Sequence, residues 1–560
     1  MVVIDSHTTV QTDSALPPAS KTSWRFGNLS AAELLPHLQR YLFEQDSKVN
    51  WQLVWLNNDG QPVIGLLPKT SWCVYPVTND TLHATQQASL YKVETTCRSV
   101  FYGPNNNASV TSYMSYRDWQ EELISYSQAY ENSNASLLSI SHDNQPPHYH
   151  HGLIGFISYD ISAHELSPTA NIEMATQPCA LLGHYDIYLI ADTDNQNSWQ
   201  LQVNHDNNHN SDSSSAPQDK NALVTMLVSY LERLDNQLSH ESANKKHSSK
   251  TPPLLLEAQW SKRDYKQAFD KTQNYLQQGD CYQINLTQTW NGYLSAYDDK
   301  SVTSLVYYLP ALHANTQAPF AGYIATDSFN HKNEANTANR QFELLSCSPE
   351  LFFTFSKDAW TGKHHIRTKP IKGTMPRSLT TEQDDSYKQQ LISSEKDRAE
   401  NVMIVDLLRN DLGKYAKIGS VKVPELFAIE SFSNVHHMVS TITAELKADT
   451  HPLSVLFGSL PAGSITGTPK KRAVEIIAEL EAAPRGAYCG TMGYMNFDGS
   501  GQWNVLIRTL QATSTADNSK QVCLWAGGGI TVASDCDAEY QECLDKVGNL
   551  LSVLADAPDN

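Results

Sequence analysis

Between Ser261 and Gln288 the hydrophobic spacing changes from helical to strand-like across a single glycine. Ser261 and Asp264 form a capping-box-like start, with Asp in place of the usual Glu or Gln. Tyr265, Phe269, Thr272 and Leu276 then recur on one helix face, and Gly279 is placed to end it. A strand over Cys281–Gln288 follows, and further strands are expected over Phe342–Ser346, Leu351–Phe355 and His365–Lys369. Strands in this order, interrupted by long helices, predict an α+β fold. Large antiparallel sheets would form a sandwich-like core with helices packed outside, not a doubly wound parallel sheet.

The first half of the chain reads as α+β as well. A short helix is expected over Leu34–Phe43 and strands over Trp51–Trp55 and Pro62–Leu67, joined by the turn Asn57-Asn-Asp-Gly60. Leu153–Tyr159 and His184–Ala191 read as strands, and no polar residue here forms a spacing that suggests chemistry. The stretches 204–220 and 239–253 are rich in Asn, Ser, Asp, Lys and His and read as solvated, disordered insertions. Leu223, Met226, Leu227, Tyr230, Leu231 and Leu234 lie between them at helical spacing. These features divide the chain into two regions, 1–252 and 253–560.

Composition removes several functional classes. A net charge of −19 is opposite to the footprint of a nucleic-acid-binding protein. The nine cysteines are scattered without a CxxC pair, which suits a reducing compartment and suggests neither disulfides nor a zinc site. With no membrane-length apolar run and no leader-like start, the expectation is a cytoplasmic protein.

Chemistry-bearing residues cluster in the second half. Lys372 lies between Pro370 and Gly373, in a segment that cannot be helix interior. Nearby Lys369 and Arg377 would favour a neutral, nucleophilic amine. Asp397 and Glu400 are three apart at the start of a helix that is apolar nearly all round, and Glu539 and Glu542 are three apart on another. Facing one another, the two pairs would make an oxygen-rich site suited to Mg²⁺; otherwise they are solvated charge pairs. In Gly463-Ser-Ile-Thr-Gly-Thr-Pro-Lys470, Thr468 reads as an N-cap and Pro469 as the first helical residue. That start is either an anion site at Gly467–Thr468 or simply a capped helix. Arg508 falls in the second strand of a hairpin over Tyr488–Thr513. Gly527-Gly-Gly529 would let a ligand approach the backbone closely, at Gly528 and Gly529 in particular.

Pro370-Ile-Lys-Gly-Thr374, Asp397-Arg-Ala-Glu-Asn401 with Val405-Asp-Leu-Leu-Arg-Asn-Asp411, Gly463–Lys470 and Glu539-Tyr-Gln-Glu542 occur in that order. Together they resemble the chorismate-utilising enzymes, most closely the branch that forms aminodeoxychorismate. The resemblance implies Mg²⁺ held by Asp397, Glu400, Glu539 and Glu542, with Arg508 and Lys546 binding substrate carboxylates. It also implies Glu350 as general acid, His437 near the substrate ring and Lys372 as a covalent nucleophile. Isochorismate- and salicylate-forming relatives carry a lysine base where this chain has Gln283, and a neutral amide cannot take that proton. The substrate implied is chorismate with ammonia, supplied by a separate glutaminase subunit, because no amidotransferase-like cysteine elbow is present. Anthranilate formation, or a chorismate-binding subunit without turnover, are the alternatives.

Overall fold

The structure is a computed structural model that describes residues 23–45, 51–77, 90–102, 108–134, 147–192, 198–204, 216–244, 251–294, 304–326, 341–432, 435–515 and 519–556. Its strands pair antiparallel throughout, in two runs that meet at the long strand Val63–Pro76. In one run, strand Ala180–Ala191 pairs with Gly152–Ile157, which pairs with Thr491–Asn496 and then Gly501–Asn504. That run continues through Leu351–Lys357 and His364–Thr368 to Val435–Glu445. The other run links Gln283–Leu294, Lys520–Ile530, Thr509–Ser514, Phe342–Ser346, Gly322–Ala325 and Val54–Leu56. Strands from both sides of residue 252 therefore share hydrogen bonds.

The two runs pack face to face through Val54, Leu56, Ile154, Phe156, Leu181, Tyr185, Leu344, Met492, Tyr494 and Leu506, all buried. Helices cover the outer faces. Helix Glu395–Gly413 lays Ile404, Val405, Leu408 and Leu412 against one sheet, and helix Cys536–Asp556 lays Cys543, Val547, Leu550 and Leu554 against the other. Each such side chain contributes about 1.5–3 kcal/mol relative to exposure. This is the sandwich-like α+β arrangement expected from the pattern.

Local signals explain several boundaries. The Ser261 hydroxyl accepts from the Asp264 N–H at 3.3 Å, and the Asp264 carboxylate accepts from the Ser261 N–H at 3.0 Å. The helix Lys262–Gln278 then ends at Gly279, with φ 83°. Helix Ala216–Asn244 is longer than the leucine spacing suggested, so residues 216–220 and 239–244 are helical and not part of an irregular insertion. Its buried stripe, Leu223, Leu227, Leu231, Leu234 and Leu238, carries the helix into both polar flanks. The rest of those insertions, 205–215 and 245–250, lies outside the described residues. Helix Glu395–Gly413 is buried on one face only, with Val402 43% exposed, so its expected all-round burial does not hold. All nine cysteines are free, and among the described residues no helix is long and apolar enough to cross a membrane.

Candidate active site

Two walls carry the charged groups. Strand Ile371–Pro376 packs on helix Glu395–Gly413, and strand Lys520–Ile530 packs on helix Cys536–Asp556. On the first wall the Lys372 amine lies 4.0 Å from Glu400 Oε2. Gly373 has φ 83°, and a Cβ there would lie 2.9 Å from the Asp397 carboxyl carbon, so glycine lets the strand close over Asp397. Lys369 pairs with Glu430 and Arg377 with Asp384. Both lie outside the strand Ile371–Pro376, and the cations expected to influence Lys372 are thus each engaged by a carboxylate of their own.

On the second wall Gly527-Gly-Gly529 is not a loop but the interior of a strand, paired to Thr287, Leu286 and Asn285. A Cβ on Gly528 would lie 3.1 Å from Glu539 Oε2, 3.8 Å from Glu542 Oε1 and 3.8 Å from Lys546 Nζ. The bare backbone therefore leaves room directly before these charges. Glu539 is buried, accepting from the Ser534 hydroxyl at 2.7 Å and from Lys396 at 3.2 Å. Lys396 stands on the opposite wall, so this ion pair spans the gap. Glu542 pairs with Lys546 at 2.7 Å, and Lys546 also donates to the Gly527 carbonyl at 2.9 Å.

The electrostatics couple these groups. Burial raises the Glu400 carboxyl above its usual range, opposed by Lys372 and Lys396 and reinforced by Glu539 and Asp397. Burial also pushes Glu542 up, but Lys546, Lys396 and Lys372 outweigh it and hold the carboxyl low. Glu400 Oε1 is buried without a hydrogen-bond partner. Glu400, with its orphaned oxygen, and Glu539 and Glu542 across the glycine-lined gap offer the oxygen ligands a hard divalent cation accepts, though among the described residues no three of the acidic groups bring their oxygens within 4.8 Å of one another.

Glu350 stands at the end of this gap. Its loop is pinned: the Ser348 hydroxyl donates to the Val505 carbonyl at 2.6 Å and accepts from the Glu350 N–H at 3.2 Å. The Val505 N–H donates to the Glu350 carbonyl at 3.0 Å, and the Ser464 hydroxyl donates to Oε1 at 3.1 Å. Burial pushes the carboxyl up to about 7, against the charge of Lys372, the Ser464 hydrogen bond and the charge of Lys546. Such a group holds a proton it can donate near neutral pH.

His437 lies beside the lysine strand, its Nδ1 2.9 Å from the Thr374 hydroxyl. Burial, with the charge of Arg508, pushes it down to about 4, so the ring is neutral at pH near 7. Arg508 is not in a strand interior. It has φ 51° in the link between Gly501–Asn504 and Thr509–Ser514, where the chain crosses from one sheet to the other. Burial lowers its pKa, a cost that an anionic ligand would offset.

Gly467–Thr468 forms a two-residue strand paired to Gln283 and Ile284, and the helix begins at Lys470 with Pro469 at the cap. Thr468 is therefore not an N-cap: pairing extends its backbone, and its hydroxyl is buried without a partner. Gly467 has φ 145°, and a Cβ would collide with the Gln283 carbonyl at 2.3 Å. The Gln283 amide is fully buried, both its atoms unpartnered, and a Cβ on Gly529 would lie 2.6 Å from its nitrogen. Lys396, Ser464, Ser534 and Thr374 escaped the sequence reading. Ser464 and Thr374 lie inside motifs already singled out, whereas no spacing marks Lys396 or Ser534.

The chain belongs to the family described as chorismate binding enzyme, whose model matches residues 87–552. Among curated relatives it is 39% identical over 340 residues to aminodeoxychorismate synthase component 1 of Escherichia coli K12, covering 59% of this chain and 68% of that one. It is 35% identical over 408 residues to the protein of the same name from Salmonella typhimurium, covering 72% and 76%. Its fold is shared with anthranilate synthase component I from Streptococcus pneumoniae, at TM-score 0.56, 21% identity and coverage of 85% and 95%. It is also shared with the menaquinone-specific isochorismate synthase of Escherichia coli, at TM-score 0.51, 16% identity and coverage of 93% and 99%.

Proposed function

We propose that the protein converts chorismate and ammonia to 4-amino-4-deoxychorismate and water, toward 4-aminobenzoate and folate. The observation that carries this reading is Glu350, a buried carboxyl pushed up to about 7 within the field of Lys372. The names of the curated relatives point the same way.

In this reading the Lys372 nitrogen attacks ring carbon 2 with its lone pair, the two conjugated ring double bonds each shift by one position, and the bond from carbon 4 to its hydroxyl breaks. Glu350 gives its proton to that oxygen, which leaves as water. The new secondary amine sheds a proton. Ammonia then adds at carbon 4 and sheds a proton, both double bonds shift back, and the lysine nitrogen regains a proton as it departs from carbon 2. Two easier substitutions replace one hard one. His437, uncharged and hydrogen-bonded to Thr374, stands beside the ring without adding charge. Arg508 and Lys546 receive the two substrate carboxylates, with Gly467 and Thr468 closing one side and Gly528 and Gly529 leaving space. Asp397, Glu400, Glu539 and Glu542 would hold Mg²⁺, which when bound neutralises the ring carboxylate. Gln283 cannot act as a base toward water, which disfavours isochorismate chemistry. Ammonia would come from a separate glutaminase partner, and the expected setting is the cytoplasm.

The test is to incubate the protein with chorismate, Mg²⁺ and ammonium, then add the lyase that forms 4-aminobenzoate. Appearance of 4-aminobenzoate supports the reading. Anthranilate, isochorismate or salicylate, or chorismate recovered unchanged, overturns it.

A further inference from the structure

Away from the active site, two imidazoles and a carboxylate meet where strands Ala180–Ala191 and Gly152–Ile157 lie side by side, several strands along the same run from the Lys372 wall. His184 and Asp186 are two apart on strand Ala180–Ala191, so both point to one face. His151 immediately precedes the neighbouring strand, Gly152–Ile157. His151 Nε2 lies 2.9 Å from His184 Nε2 and 3.2 Å from Asp186 Oδ1, and His184 Nε2 lies 2.8 Å from that same oxygen. His184 and Asp186 are fully buried, and the His151 side chain is 15% exposed. Among the described residues no other three histidine, cysteine or acidic side chains bring their ligand atoms this close together.

With Asp186 ionised beside the Lys220 ammonium, no assignment of protons to the two imidazoles satisfies this triangle. If both Nε2 atoms carry hydrogen, two N–H groups 2.9 Å apart crowd onto one carboxylate oxygen. If either lacks hydrogen, its lone pair faces that oxygen at 2.8 or 3.2 Å. A cation among the three atoms removes the conflict, because each then offers a lone pair to it. The supports match those of a metal site. The Tyr126 hydroxyl lies 2.8 Å from His184 Nδ1 and can hold the tautomer that leaves Nε2 free to ligate. Lys220 reaches the second oxygen, Asp186 Oδ2, at 3.5 Å, leaving Oδ1 for the centre. The Phe497 ring stands edge-on to both histidines, at 4.9 and 4.8 Å, and excludes water from that side.

We propose that His151, His184 and Asp186 form a binding site for a divalent metal of the zinc class, distinct from the acidic cleft and serving to tie the two strands together. Two imidazole nitrogens and one oxygen select Zn²⁺, Co²⁺ or Ni²⁺ over Mg²⁺, which prefers oxygen throughout. The nearby ammonium of Lys220 opposes a second cation, so the affinity falls short of an all-anionic site. In sequence the site is invisible: His151 is far from the other two, and His184-x-Asp186 alone shows only two side chains on one face of a strand.

The test uses the full chain stripped with a chelator, then given Zn²⁺ or Co²⁺ and desalted. The parent should retain one ion per chain, show the visible absorption of nitrogen-ligated cobalt, and, with saturating Mg²⁺ present throughout, melt at higher temperature once Zn²⁺ is added. His151→Ala, at the rim and least disruptive to folding, should weaken retention roughly 100-fold or more and lose the cobalt spectrum. Its circular dichroism and its turnover with ammonium should match those of the stripped parent. Asp186→Asn checks the oxygen ligand. A parent that keeps no more metal than His151→Ala, or a cobalt spectrum equal in the two, overturns the site.

Discussion

The two walls of the cleft are built to different standards. The wall bearing Gly528 and the C-terminal helix rests on eleven consecutive residue pairs between Gln283–Leu294 and Lys520–Ile530, with no break in register. The wall bearing Lys372 rests on strand Val435–Glu445, and its pairings slip between Ile371 and Thr374 and twice more in the adjoining strand Lys422–Ser431. Slips of this kind re-aim side chains and weaken a ladder locally. The regular wall holds Glu539, Glu542 and Lys546, each in a close polar contact. The irregular wall holds Lys372, to which the proposed function gives the making and breaking of a bond. Fixed charge belongs on a stiff ladder, and a nucleophile that must follow a changing carbon belongs on a looser one.

The largest effect should come from removing that nucleophile. Lys372→Ala should lower 4-aminobenzoate formation in the coupled assay by roughly 10³-fold or more. Chorismate affinity, read by titration calorimetry, should change far less. Retained turnover would move the covalent role off the irregular wall and break the contrast.

Next is Glu350→Gln, with kcat down roughly 10²–10⁴-fold. In the parent the donor form exists below about pH 7, so activity should fall as pH rises through that value. The sign for stability follows from the same shift. A carboxyl raised from 4.5 to about 7 stabilises the fold fully below 4.5, and this is lost as pH climbs through 7. Glutamine escapes that loss. Above pH 7 the variant should unfold at higher denaturant than the parent, by at most about 3 kcal/mol. A variant both slower and less stable there would mean the carboxyl is not held protonated.

How much of this was legible follows the same division. The regular elements were: Ser261 and Gly279 fix their helix by backbone chemistry, and Phe342–Ser346 is a short, mostly apolar run, as a strand buried on both faces must be. The motif residues were found because they are rare side chains in unusual company. Cross-chain relations were hidden. Thr468 has the composition of an N-cap, yet pairing with Gln283 takes its backbone into a sheet. Arg508 sits in an apolar run like a strand residue, but a change of sheet at that point gives it φ 51°. Lys369 and Arg377 are near Lys372 in sequence only, since each has a carboxylate of its own. Local propensity cannot report a partner many residues away.

The acidic residues sharpen the contrast in stability. Glu400 is pushed up by burial and has an orphaned oxygen, so in metal-free protein its charge is a cost. Glu400→Gln should therefore leave the metal-free protein as stable as the parent or slightly more so. Glu539 is 2% exposed and engaged by Ser534 and Lys396. Glu539→Gln should cost about 1–3 kcal/mol in denaturant unfolding. Both should raise the Mg²⁺ concentration needed for half-maximal turnover. Equal stability changes would show that the walls do not differ in how firmly they hold charge.

The smallest and most specific effect concerns Ser534, which stands just before the C-terminal helix and donates to Glu539 at 2.7 Å while accepting from the Thr531 N–H at 3.1 Å. Ser534→Ala removes the orienting donor but no charge. Outer contacts of this kind are worth roughly 10–100-fold in metal affinity. The Mg²⁺ requirement should shift by about the lower end of that range, because Lys396 still orients Glu539 from the facing wall. With saturating Mg²⁺ and chorismate, kcat should return to the parent value, and Ser534→Thr, which keeps the hydroxyl, should restore the Mg²⁺ requirement. A kcat loss that Mg²⁺ does not rescue would place Ser534 in the chemical step itself, and the stiff wall would then do more than hold charge in place.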